Sequence, residues 1–398
     1  MGREYWKLWS ASTVSALGDG ISAAALPLLA ASLTREPGLI AGLTFAFTLP
    51  WLLFGLVSGA LVDRWDRRTI LVWTNVVRAA IVGTLAAAVL LDAATLPLAY
   101  AIAFLHGSAD TLAASAAPAL VPRLVTPDHL ERANGRLAAA ATVNAEFVGP
   151  PVGAFLFAAA AVAPFAADAA SFGAAALVVL AIRGRFRAAR PRTDPTTLWA
   201  EVGAGLQLLW REPLLRALGA TVAVLGIVDA AWFSILVLYA LDVLGTSEAG
   251  YGFFLAAGAV GSVVGSLGAS RATARLGASA VLAGALLVAA ATQLVLGLTS
   301  SVGVALAMLA GSGLAFGLWN VVAVSVRQRL APDELLGRIN GAYRFLGVGG
   351  YSVGAASGGV VAHVLGIRAP FLVGVPLLVA AAVALVAVAS GPAARPAR

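Results

Sequence analysis

The sequence predicts an all-α membrane protein of twelve hydrophobic helices arranged as two pseudo-symmetric six-helix bundles. Three observations predict it. There is too little charge to cover a soluble surface, twelve apolar stretches are long enough to cross a bilayer, and a loop motif recurs half a chain later.

Charged residues make up 11% of the 398 positions and hydrophobic ones 60%, with a mean hydropathy of +0.92. A soluble domain carries about 25% charged residues, so lipid must replace water around much of this fold. The net charge of +7 would suit a nucleic-acid partner. The basic residues, however, sit in short stretches between apolar runs and form no continuous basic face, so no nucleic acid is expected. The lack of cysteine excludes disulfides, zinc thiolate sites and iron–sulfur clusters. His106, His129 and His363 are too far apart for a local metal motif, and neither a metal nor a cofactor is expected.

A bilayer core about 30 Å thick takes about 20 helical residues at 1.5 Å each. Such runs occupy residues 9–33, 39–62, 69–91, 96–117, 136–158 and 161–182, then 216–241, 249–270, 278–299, 301–324, 342–365 and 369–390. The first follows Arg3 and Lys7 as a signal peptide would. It reaches Leu33, beyond the roughly 7–15 apolar residues of a signal core, and reads as a retained span. With the N-terminus inside, the inner loops collect Arg64, Arg67, Arg68, Arg123, Arg132, Arg183 and Arg185 among others, and the outer loops hold only Arg35 and Arg368. That asymmetry places both termini in the cytoplasm.

The expected domains are a first bundle at 1–182, a cytoplasmic linker at 183–215 and a second bundle at 216–398. Within the linker Trp199, Val202, Leu206 and Leu209 fall at helical spacing, which suits an interfacial helix on the inner leaflet. Arg123-Leu124-Val125-Thr126-Pro127-Asp128-His129-Leu130, with Arg132-Ala133-Asn134-Gly135, returns as Arg329-Leu330-Ala331-Pro332-Asp333-Glu334-Leu335, with Arg338-Ile339-Asn340-Gly341. The offset of 205 or 206 residues puts both copies between the fourth and fifth spans of their half. Parallel six-helix repeats are a recognised transporter architecture.

The loop after the second span reads Gly59-Ala60-Leu61-Val62-Asp63-Arg64-Trp65-Asp66-Arg67-Arg68. It resembles the signature of the major facilitator superfamily, with Asp66 in place of the second Gly. Ser15-Ala16-Leu17-Gly18-Asp19 and the paired Pro-Asp loops resemble the branch of enterobactin exporters and macrolide efflux proteins. The resemblance implies the major facilitator fold over the whole chain. It also implies that Gly59, Asp63, Arg64, Arg67 and Arg68 form a gating loop that latches the halves; a topology anchor alone is the other reading. In the fifth span Gly149, Pro150 and Gly153 resemble the antiporter signature Gly-Pro-x-x-Gly-Gly, which implies close helix packing and favours export; a plain kink is the alternative. The fourth span reads Ala103-Phe104-Leu105-His106-Gly107 where drug antiporters usually carry an Arg.

A charge at the bilayer centre costs about 2.5–3.5 kcal/mol on insertion scales, so retained charges must pair, hydrate or protonate. Asp19, Glu146, Asp229 and Asp110 are the proton-coupling candidates, because burial penalises the charged form of a carboxyl group. Arg78 and Asp168 are read as intramembrane pairing residues. Pairing with a neighbouring helix for assembly, for instance with Arg78, is also open to Glu146 and Asp19, and Asp110 could meet Arg78 or loop arginines. His106 reads as a buried hydrogen-bonding residue. Glycines at 258, 261, 265 and 268, and at 350, 354 and 358, fall on single helix faces and suit close helix contact.

These features imply a secondary transporter working by alternating access. The reading is a proton-coupled exporter of moderately hydrophobic small molecules, drug-like or siderophore-like, acting as a monomer in a bacterial cytoplasmic membrane. Phe45, Phe47, Trp51, Trp232, Phe233 and Trp319 are candidates to line its cavity. A facilitator or importer of a small metabolite on the same fold is the alternative. An enzyme or ATP-driven pump is not expected: a P-loop needs a Lys after its glycines, and the single Lys is Lys7.

Overall fold

The computed structural model describes residues 1–184, 186, 207, 210, 212–330 and 336–390, and no strand occurs among them. The long helices are α1 (Arg3–Leu33), α2 (Pro37–Arg64), α3 (Arg67–Leu90), α4 (Leu96–Leu120), α5 (Leu130–Thr142), α6 (Gly149–Ala159) and α7 (Ala163–Leu180). They continue as α8 (Pro213–Phe233), α9 (Glu248–Leu276), α10 (Ala278–Leu298), α11 (Val302–Leu330), α12 (Leu336–Leu365) and α13 (Ala369–Ser390). Ten of the helices are long and apolar enough to cross a membrane. The fourth expected span is α4, whose apolar run is diluted by His106, Ser108, Asp110, Thr111 and Ser115. The fifth is divided.

That division has a local cause. Pro150 and Pro151 have no N–H, so the carbonyls of Glu146 and Phe147 lose their usual donors. The chain responds with a wider π turn at Val143–Val148, closed by the Gly149 N–H on the carbonyl of Asn144. The seventh span also departs from a single rod: α8 ends at Phe233, and the chain resumes as the short turn Leu236–Leu238 and a π turn at Tyr239–Val243. Asp229, expected midway along a helix, therefore stands one turn before a break. The interfacial helix expected around Trp199–Leu209, apart from position 207, and the second Pro-Asp copy at residues 331–335 lie outside the described residues.

The chain forms two compact units, Met1–Arg35 with Ala46–Leu198 and Ser247–Gly252, and Glu36–Phe45 with Trp199–Thr246 and Phe253–Arg398. The start of α2 is grouped with the second unit. In the first unit α1 packs on α5–α6 and α7, and α3 on α4 and α7. In the second, α8 packs on α12 and α13, and α10 on α11 and α13. The two neighbour schemes correspond helix by helix. Local details repeat as well: α7 and α13 both open with Ala-Pro-Phe, and Phe165 and Phe371 are both buried. A tyrosine hydroxyl fastens the equivalent helix starts, Tyr5 to the carbonyl of Ala133 at 2.9 Å and Tyr343 to that of Leu215 at 2.7 Å.

Glycines set the closest helix contacts. A methyl group built at Gly350, Gly354 or Gly358 would meet the backbone carbonyls of Ala223, Ile227 and Ala231 on α8. Gly261 and Gly265 press likewise on Ala310 and Leu314 of α11. Gly268, expected to join that face, has nothing within 4 Å, so the tight seam ends before it.

Candidate functional site

Arg78 lies mid-way along α3 with only 2% of its surface exposed. A guanidinium withdrawn from water must be paired and hydrogen-bonded, and neighbouring helices supply the partners. Its Nη2 donates to Asp19 of α1 and to Asp110 Oδ1 of α4 at 3.3 Å, and lies 3.2 Å from His106 Nε2. Its Nη1 reaches Ser15 Oγ at 3.5 Å, and its central carbon sits 4.1 Å from the centroid of the Phe172 ring of α7. His106 Nε2 lies 3.0 Å from Asp19 Oδ1. Both Asp19 and Asp110 keep about a quarter of their side-chain surface open, at 26% and 24%.

Sequence around Asp19 explains how it reaches this place. A methyl group at Gly18 would fall on Ser171 Oγ and Asp168 Oδ1 of α7. At Gly20 it would lie 2.6 and 2.8 Å from the carbonyls of Asn144 and Ala145 in the π turn. Glycine on both sides of Asp19 thus lets α1 lie against α7 and the α5–α6 break at once. Gly149 and Gly153 meet Gly20 and Ile21 from the other side, and Pro150 is buried beside them. Asp168 is fully buried and accepts from Ser22 Oγ and, at 3.4 Å, from Ser171 Oγ.

The structure therefore collects Asp19, Arg78, His106, Asp110 and Asp168 within the first unit. It does not add Glu146, which is exposed on the π turn and has no hydrogen-bond partner among the described residues. Asp229 lies in the second unit and accepts from Trp232 Nε1 at 3.4 Å. Trp232 and Trp319, read as cavity residues, are instead buried inside their unit, Trp232 against Phe371. Phe47 packs 5.7 Å from His106. Sequence reasoning missed Ser22 and Phe172, although spacing marks them: Ser15, Asp19 and Ser22 share one face of α1, as Asp168 and Phe172 share one of α7.

The loop with the superfamily-like signature ties α3 to the end of α7. Asp66 caps α3, accepting from the Thr69 N–H at 3.1 Å, and its other oxygen accepts from the Phe186 N–H at 2.6 Å. Arg67 Nη1 donates to the Phe186 carbonyl at 3.1 Å, and Arg68 reaches the carbonyls of Val179 at 3.4 Å and Leu180 at 2.5 Å. Lys7 adds a bond to the Ala181 carbonyl at 2.7 Å. Arg68 and Lys7 place positive charge on carbonyls at the negative end of α7. The departure at Asp66 thus has a structural task. Asp66→Ala is expected to cost about 1 kcal/mol for the cap alone, read as a lower melting temperature. Asp66→Gly should cost only a few tenths at the cap while losing the tie to Phe186. An unchanged melting temperature for Asp66→Ala would contradict this role.

Comparison with known proteins agrees with the geometry. Residues 3–394 match the family described as transmembrane secretion effector. The chain belongs to that family, within the major facilitator superfamily. The multidrug efflux pump Tap of Mycobacterium tuberculosis is 26% identical to this transporter over 376 residues, covering 91% of this chain and 88% of Tap. An uncharacterised MFS-type transporter of the same organism, Rv0037c, is 33% identical over 144 residues, but the match spans only 33% of that relative and 34% of this chain. Among solved structures, the nucleoside transporter NupG superposes with a TM-score of 0.77 at 10% identity, covering 97% of this chain and 100% of NupG. A bacterial homologue of the iron transporter ferroportin gives 0.76 at 18%, covering 98% and 99%. The transporter is an integral membrane protein with that fold.

Proposed function

We propose that this transporter is a proton-coupled exporter of moderately hydrophobic small molecules, drug-like or siderophore-like, acting by alternating access. The carrying observation is the imbalance around Arg78: three carboxylates, on Asp19, Asp110 and Asp168, gather at one guanidinium inside the bundle. A low-dielectric site cannot hold all three ionised without further positive charge. Protons from the acidic side of the membrane supply that charge, and losing them to the other side returns a binding-competent anion. Asp19 is the proposed proton carrier because it bonds Arg78 and His106 while still partly open. Asp110 assists it, Asp168 and Arg78 hold the cluster together, and Glu146 and Asp229 serve as further protonatable positions. The similarity to an efflux pump and the Gly149-Pro150-Pro151-Val152-Gly153 seam support export.

The arginine bias supports a bacterial cytoplasmic membrane with both termini inside, and the protein is proposed to act as a monomer. Asp63, Arg64, Arg67 and Arg68, with Gly59, are proposed as the latch between alternating states. The reading is tested with a susceptibility panel of lipophilic drugs and siderophores on cells with and without the gene. Tolerance to some members should rise with the gene and return to baseline with Asp19→Asn at equal membrane abundance. Greater sensitivity in cells carrying the gene would instead indicate uptake.

A further inference from the structure

We propose that His106 is the positioning residue that decides which carboxylate holds Arg78, so that a proton arriving on its imidazole is converted into a shift of the guanidinium. The inference rests on the proposed proton coupling and assigns its first movement to a residue outside the carboxylates.

The reasoning starts from a shortage of hydrogens. Arg78 Nη2 carries two, yet three polar atoms surround it: Asp19 Oδ1, Asp110 Oδ1 at 3.3 Å and His106 Nε2 at 3.2 Å, the last an acceptor only in the tautomer with its hydrogen on Nδ1. His106 Nε2 also stands 3.0 Å from Asp19 Oδ1. One ring nitrogen cannot serve both neighbours in the same way. With its lone pair free and the hydrogen on Nδ1, Nε2 accepts from Arg78, and Asp110 is left the weaker share of the guanidinium. Once a proton from water binds Nε2, the ring becomes an imidazolium, Nε2–H donates to Asp19, and Arg78 can no longer donate to it. The freed Nη2 hydrogen then turns to Asp110. Loss of the proton reverses each step.

The surroundings suit such an exchange. The Phe172 ring lies beneath Arg78, its centroid 4.1 Å from the central carbon, and edge-on to His106 with 5.5 Å between ring centroids. A planar cation stacked on a ring can slide in its own plane without losing that contact. The charged and titratable groups facing His106 are Arg78 from α3, Asp19 from α1, Asp168 from α7 and Asp110 from α4 itself, and α2 contributes the uncharged Phe47. Arg78 provides the single permanent positive charge among them. At the other end Arg78 Nη1 reaches Ser15 Oγ at 3.5 Å.

The test needs no substrate. The full chain is labelled with nitrogen-15 at His and Arg, with His129→Ala and His363→Ala leaving one imidazole, and followed by solid-state NMR in lipid from pH 5 to 9. The expected result is that Nε2 of His106 changes from an unprotonated to a protonated nitrogen as pH falls, and the Arg78 Nη signals shift with the same midpoint. His106→Gln keeps a donor and an acceptor at this place but cannot titrate; it should leave the protein folded and abolish the Arg78 shift. Asp110→Asn should keep the His106 titration and reduce the Arg78 response. A His106 ring that does not change across the range overturns the proposal. So does a titrating ring beside unchanged Arg78 signals, or an Arg78 shift that survives in His106→Gln. Because transport is not the readout, a failed switch is distinguished from a failed export reading.

Discussion

Arg78→Met is expected to be the most damaging single substitution in the first unit, costing about 3–5 kcal/mol because it leaves buried carboxylates with no cation. Met replaces the apolar stem of the side chain and removes the guanidinium that meets Phe172, so the stranded carboxylates account for most of the effect. Thermal melting of purified protein in detergent should show the loss, together with reduced abundance in the membrane. Adding Asp19→Asn should recover much of it, since one of the stranded charges is removed with its partner. Arg78→Lys should fall between the two. An ammonium keeps the charge but cannot fork to Asp19, Asp110 and Ser15 while lying on the ring of Phe172. Equal melting temperatures for Arg78→Met and the wild type would show that the cluster does not depend on its cation.

In the second unit a large effect is expected at Gly354. A methyl group there would already meet the Ile227 carbonyl on α8, and backbone, unlike a side chain, cannot rotate aside. Gly354→Leu should therefore force α12 away from α8 and cost at least the roughly 1–3 kcal/mol typical of overpacking. Neighbouring Gly350 and Gly358, set against Ala223 and Ala231, make the same contact one turn away, so relief at one position is resisted by the others. Gly268→Leu on α9 is the matched control, because that glycine has nothing within 4 Å. The control should melt within a few degrees of the wild type while Gly354→Leu falls well below it. Similar behaviour of the two would mean that α8 and α12 do not rely on backbone contact.

Much of the architecture was legible in the sequence, for physical reasons. A bilayer demands long apolar helices, and duplicated halves leave duplicated loops, so the membrane-helical fold followed from composition and the Pro-Asp repeat, and the family from the resemblance carried by the loop at 59–68. The break between α5 and α6 was also readable, since Pro150 and Pro151 remove two adjacent donors. The break after α8 was not: no Pro or Gly stands between Gly226 and Gly245, yet the chain departs from helix at Ser234 and Ile235. The cluster around Arg78 was half legible. Its charges stood out against an apolar background, but hydropathy does not say which helix faces which. Glycines on both sides of Asp19 and the Ser15–Asp19–Ser22 face carried that information. Asp66 looked like a defect in a signature, and its value as a cap emerges only with Thr69 and Phe186 in place.

The central claim, that protonation of the Asp19–Arg78 cluster drives outward movement of a small molecule, is tested most directly in everted vesicles. Vesicles containing the transporter are given an acid interior, and the uptake of a panel of lipophilic fluorescent dyes is followed with and without a protonophore. The account expects accumulation of at least one dye that needs the gradient, alkalinises the interior as it proceeds and is absent with Asp19→Asn. Accumulation that ignores the protonophore, or that Asp19→Asn supports as well as the wild type, would contradict it.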